Sequence, residues 1–194
     1  MTSIKLVDLN NQHARMRDEL DAAVKAVMDS GLFINGPQVQ GLEHDLSQYL
    51  GGHEVVGCAN GTDALQLALM TLNLPKDSEI IVPDFTFVST AEVVKQLGFK
   101  PILVDVDPDT FLIDPEAVRQ AITPHTQAIM PVHLFGQCAP MEVILSLAEA
   151  HGLYVIEDVA QAFGASCYCR GAWQKAGTMG TWGTTSFFPV KNLG

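Results

Sequence analysis

Apolar residues recur at helical spacing along the first fifty positions, and then the period changes. Leu20, Val24, Val27 and Met28 share one helical face over residues 15–29 before Ser30-Gly31 ends the run. Pro37 suits a first helical position, and Val39, Leu42, Leu46 and Leu50 follow it until Gly51-Gly52. The short apolar stretch Leu32-Phe33-Ile34-Asn35-Gly36 between them reads as packing, a loop or a substrate edge. Beyond Gly52, short apolar runs alternate with helical ones. Strands are expected at 55–59, 80–82, 102–106, 128–132 and 154–156, and helices at 62–72, 88–97, 115–122 and 141–150. That alternation predicts an α/β fold, a mostly parallel sheet with helices on both faces. Ligands of such sheets bind beyond the carboxyl ends of the strands, which directs attention to the residues following each one.

Composition narrows the classes of partner. With 194 residues, 47% of them hydrophobic, the chain can bury one sizeable core. Its 22 acidic and 11 basic residues give a net charge of -11, so nucleic acid polymers and anionic membranes are poor partners. No apolar run approaches a membrane span. Met1-Thr2-Ser3-Ile4-Lys5 leads into Asp8 and Asn10 rather than a signal-peptide core, and a cytoplasmic location is expected. Cys58, Cys138, Cys167 and Cys169 are irregularly spaced, and His13, His44, His53, His125 and His151 do not converge in sequence. Neither a disulfide framework nor a metal site is expected.

Candidate chemistry gathers at the strand ends. Asn60-Gly61-Thr62-Asp63 opens a helix, where Gly61 lets amides approach an anion and Thr62 adds a hydroxyl. The segment reads either as a phosphate cradle or as a plain cap by Thr62 or Asp63. In Phe85-Thr86-Phe87, one ring can lie against a planar cofactor, or both can be core. Asp158, with Gln161 three residues on, falls where a buried strand opens into the crevice. It suits a partner for a protonated ring nitrogen, a solvated cap or a metal-binding acid, the last disfavoured by the lack of a P-loop. His133 stands at a similar edge, as a structural histidine or a ligand. Lys191, among Phe187, Phe188, Pro189, Val190 and Leu193, reads as a poorly solvated nucleophile or a surface lysine. One chemistry uses these parts together: pyridoxal phosphate needs a lysine, an anion cradle (Gly61-Thr62 with Ser186), a carboxylate and an apolar face (Phe87).

Taken in order, several motifs resemble the DegT/DnrJ/EryC1/StrS sugar aminotransferases. They are Leu6-Val7-Asp8-Leu9, Gly36-Pro37, Ala59-Asn60-Gly61-Thr62-Asp63-Ala64, Phe85-Thr86-Phe87, Glu157-Asp158-Val159-Ala160-Gln161 and Ser186-Phe187-Phe188-Pro189-Val190-Lys191-Asn192-Leu193-Gly194. The resemblance implies an aspartate aminotransferase-like fold (PLP fold type I) and pyridoxal 5'-phosphate as cofactor. It makes Lys191 the Schiff-base lysine and catalytic with Asp158, the partner of the pyridine nitrogen. Gln161 then contacts the ring's hydroxyl side, Thr62 and Ser186 hold the phosphate with the backbone at Gly61, and Phe87 stacks on the ring. Val190 stands where family members often carry a small polar residue.

The implied reaction transfers an amino group, with glutamate as the expected donor, to a nucleotide-linked ketosugar in surface polysaccharide biosynthesis, including lipopolysaccharide and O-antigen. Cys58-Ala59-Asn60-Gly61-Thr62-Asp63-Ala64-Leu65-Gln66 and Phe135-Gly136-Gln137-Cys138-Ala139 look most like the branch acting on UDP-linked 3-oxo sugars, among them 2-acetamido-2-deoxy-3-oxo-glucuronate. A 4-oxo-sugar aminotransferase and a catalytically inactive PLP-fold protein are the alternatives. Related sugar dehydratases replace the lysine with histidine, and Lys191 argues against that class. The resemblance further implies a homodimer. It also implies that residues 1–194 hold the N-terminal segment and most of the large domain, without the last sheet strand and the small C-terminal domain.

Overall fold

The structure, a computed structural model, describes residues 7–193. The chain divides into two compact units, Met1–Gly57 and Cys58–Gly194. The first holds α1 (Leu9–Arg15), α2 (Arg17–Ser30) and α3 (Pro37–Tyr49). The helix expected over 15–29 is α2; α1 precedes it as an unanticipated helix, because Asp8 starts it by accepting the Asn11 N–H and Met16 leaves the helical conformation at φ -123°. Pro37 does open α3. Neither α1 nor α2 buries a residue, and α3 buries only Leu46.

The second unit is a sheet sandwiched by helices. It runs through α4 (Gly61–Thr71), β1 (Glu79–Pro83), α5 (Ser89–Gln96), β2 (Lys100–Val104), α6 (Pro115–Ala121), β3 (Thr126–Ile129), α7 (Met141–His151) and β4 (Tyr154–Asp158). It ends with a hairpin, β5 (Ser166–Cys169) and β6 (Ala172–Lys175), and a short strand β7 (Trp182–Thr184). The main sheet has the order β2-β1-β3-β4-β7, and every pairing in it is parallel. Alternation along β1 sends Ile80 and Val82 to one face, with Leu65, Leu69, Val93 and Val94 of α4 and α5, while Ile81 meets Val118, Met141 and Ile144 of α6 and α7 on the other. Covering both faces explains why these strands are apolar runs rather than alternating ones.

Two features depart from the sequence reading. Residues 55–59 form no strand, and Val56 is 81% exposed. A strand exists only through its ladder, and no described strand pairs with this segment. Conversely, β5, β6 and β7 were not anticipated. The hairpin turns at Arg170 and Gly171, both at positive φ (52° and 79°), the primed geometry that two-residue loops favour. Strand β7 has only three residues, too few for a periodic signal.

Candidate active site

The carboxyl ends of β1, β3, β4 and β7 and the N-terminus of α4 bring most of the expected residues into one unit. Asn60, not Thr62 or Asp63, caps α4: its Oδ1 accepts the Asp63 N–H at 2.9 Å. The amides of Gly61 and Thr62 then have no acceptor among the described residues, and they head a helix whose dipole favours an anion. Gly61 is required by close approach. A Cβ there would sit 2.8 Å from Ser186 Cβ and 3.3 Å from the Thr185 carbonyl oxygen. The segment carrying Ser186 is thus pressed against the helix start. Ser186 Oγ accepts the Phe188 N–H at 3.3 Å, leaving its own proton to give, and the neighbouring Thr185 Oγ1 is closed off from solvent with no partner.

Asp158 ends β4, buried, in register with Thr184 of β7. Its Oδ1 accepts the Ala160 N–H at 3.0 Å and its Oδ2 the Thr90 hydroxyl at 3.2 Å. Burial pushes this carboxyl above the usual range, opposed by those two hydrogen bonds and, more weakly, by the Lys191 ammonium. The Thr90 hydroxyl also meets Thr86 at 3.0 Å, which ties the middle of the Phe-Thr-Phe segment to the carboxylate. Thr90 carries no sequence signal of this role. It is a threonine in the first turn of α5, and only the fold brings it to Asp158.

The other expected residues divide. Phe87 is 67% exposed just ahead of α5, a ring free of the core. Phe85 is not core either. Its ring meets Phe111 at 5.3 Å and Phe135 at 6.4 Å in an exposed aromatic trio. Gln161 Oε1 accepts the Phe135 N–H at 3.3 Å, so its oxygen is engaged and its NH2 group is the end left to donate. Lys191 is half-buried, but the flanking Phe188, Val190 and Leu193 are all more than half exposed. The expected apolar shielding is not supplied by its neighbours in sequence. His133 is structural: its Nδ1 accepts the Ala139 N–H and its Nε2 meets Glu157 Oε2, both at 2.8 Å. Among the described residues no three His, Cys, Asp or Glu side chains are grouped to hold a metal ion.

The DegT/DnrJ/EryC1/StrS aminotransferase family profile matches residues 14–194. The chain belongs to this family. It is 47% identical over 191 residues to the UDP-2-acetamido-2-deoxy-3-oxo-D-glucuronate aminotransferase of Pseudomonas aeruginosa, covering 98% of this chain and 52% of that protein. Among solved structures, S. venezuelae DesV aligns with a TM-score of 0.93 at 39% identity, over 100% of this chain and 51% of DesV. NtdA of Bacillus subtilis, crystallised with its bound cofactor PMP, aligns with a TM-score of 0.79 at 35% identity, over 85% of this chain and 38% of NtdA. The chain thus spans about half the length of the relatives it matches.

Proposed function

We propose that the protein is a pyridoxal phosphate-dependent aminotransferase that aminates a nucleotide-linked ketosugar. The residues present fit that cofactor. A buried carboxyl pushed up by desolvation calls for a cationic partner, which a protonated pyridine supplies, and the Gly61-Ser186 approach leaves a helix start with unpaired amides beside a hydroxyl donor. The observation that carries the reading is this conjunction: a buried carboxyl at the end of β4, and a helix start pressed against the Ser186 segment that leads to Lys191. When bound, the cofactor supplies an aldehyde to hold the amine and a ring that takes up electron density.

The chain's own residues have the following parts. The amides of Gly61 and Thr62, the Thr62 hydroxyl and Ser186 Oγ hold the phosphate. Asp158, kept in place by Thr90 and Ala160, keeps the ring nitrogen protonated. Phe87 covers one ring face, and Gln161 donates its NH2 group to the ring hydroxyl. Lys191 would hold the cofactor through its side-chain amine, and the same amine would carry the proton at the substrate carbon.

The similarity to the Pseudomonas protein supports a UDP-linked 3-oxo sugar as acceptor; glutamate is the proposed donor, and polysaccharide-type biosynthesis the proposed setting. On this reading residues 1–194 form the N-terminal segment and most of the cofactor-binding large domain, and the working enzyme is a cytoplasmic homodimer. No helix among the described residues is long and apolar enough to cross a membrane. The test is turnover with glutamate and the UDP-linked 3-oxo sugar, with the aminated carbon located by NMR. Amination at C3, lost by about 100-fold or more in Lys191→Ala, is expected. Amination at C4, or undiminished turnover in the variant, would contradict the proposal.

A further inference from the structure

We propose that Glu157 is a positioning residue that sets Ser186 and Lys191 in place, an inference resting on the cofactor reading of the site above. Its side chain is fully buried, one position before Asp158, and its two oxygens receive four hydrogen bonds. Oε2 accepts from His133 Nε2 and the Gly177 N–H, each at 2.8 Å, and Oε1 accepts from the Met179 N–H at 2.7 Å and the Gly180 N–H at 2.6 Å. Backbone N–H groups only donate. His133 Nδ1 accepts from Ala139, so the ring proton is on Nε2, and that nitrogen donates as well. Glu157 is therefore present as a carboxylate with both oxygens filled, in a place where a charge without such partners would be prohibitive.

The arrangement reaches the site through the main chain. Residues 177–180 are the turn that delivers the chain to β7, and β7 pairs with β4 from Ile156-Trp182 through Asp158-Thr184. The pairing is reinforced where the Thr184 hydroxyl donates to the Glu157 carbonyl at 3.1 Å and the Val159 N–H donates to the Thr184 carbonyl at 2.8 Å. Thr185 and Ser186 follow directly, and the Lys191 N–H donates to the Phe188 carbonyl at 2.7 Å in the next turn. Among the described residues β7 lies at one edge of the sheet and pairs with β4 over only three residues, a short ladder. The Glu157 carboxylate, gripping the turn just before it, adds a constraint on where that strand sits. One dipeptide thus serves two functions: Asp158 faces the cofactor, while Glu157 holds the segment that carries the other cofactor ligands.

Glutamine at this position keeps the shape but turns one acceptor into an NH2 group facing donors. The test compares Glu157→Gln and Gly180→Ala with the unaltered 194-residue chain. In the second variant a Cβ would lie 2.7 Å from the Val155 carbonyl oxygen and displace the same turn. Ile144→Val, in the α7 core, serves as a control for general destabilisation. Two readouts are taken: hydrogen exchange of residues 176–186 against β1 without cofactor, and the rate at which Lys191 becomes borohydride-trapped at saturating pyridoxal phosphate. Both site variants are expected to exchange about tenfold or more faster over 176–186 with β1 unchanged, and to trap Lys191 about tenfold or more slower. The control should change neither in this local way. Normal exchange or normal trapping in Glu157→Gln, or the same losses in the control, would overturn the proposal. If Glu157→Gln does not fold, Gly180→Ala decides by the same criteria. Failure of the unaltered chain to trap at Lys191 would count against the cofactor reading alone, and the exchange measurement would still judge the role of Glu157.

Discussion

Asp158 is costly to the protein in the absence of a positive partner. Its carboxyl is held above the 3.8 of an unperturbed aspartate, chiefly by burial. A group whose folded value is raised contributes its stability fully below the unfolded value and loses that contribution as the pH climbs through the folded one. Asp158→Asn, which cannot ionise, should therefore raise the melting temperature of the cofactor-free chain near neutral pH, with the gain fading as the pH approaches 3.8. A melting curve series across pH checks this, and a variant less stable at neutral pH would contradict it. The thiols give a second residue-scale expectation. Burial, and next the neighbouring Cys167, push Cys138 up to about 12, and burial with Glu142 pushes Cys169 to about 11. Iodoacetamide near neutral pH should modify the exposed Cys58 and spare both in the folded chain, as read by peptide mass mapping. Asp158 was legible because strand-end position and residue type coincide there, and Gly61 because it opens a clear helical repeat, although the strand expected before it is not formed. Thr90 was not, because a threonine 68 residues away in sequence joins Asp158 only after the sheet forms.

Among the elements, α4 contributes most directly to the site, since its first turn supplies two amides. Asn60 caps it, and Asn60→Ala should cost about 1 kcal/mol in denaturant unfolding while loosening the amides of Gly61 and Thr62. An unchanged unfolding free energy would mean that the cap is not holding the helix. The parallel strands β1 to β4 and the helices between them could be read from the chain, because each is a continuous apolar run or a clear 3.6-residue repeat. The boundaries moved by a few residues: the strand expected at 102–106 is Lys100–Val104, and Val106 makes only an isolated bridge to Ile113. Residues 55–59 have the apolar composition of a strand without a ladder, whereas β7 has a ladder without the composition. Composition records what a segment can bury, but pairing depends on what lies beside it.

The sheet, its two covered faces and the match over residues 14–194 agree with one another, while the chain spans about half of its relatives. Every expected cofactor contact nevertheless falls within one compact unit, Cys58–Gly194. That unit should bind the cofactor. The most direct test is to titrate the 194-residue chain with pyridoxal phosphate, follow the absorbance, trap with borohydride and map the modified residue by mass spectrometry. The account predicts saturable binding with the label on Lys191 and none in Lys191→Ala; saturation without a label on Lys191, or no binding at all by the folded chain, would contradict it.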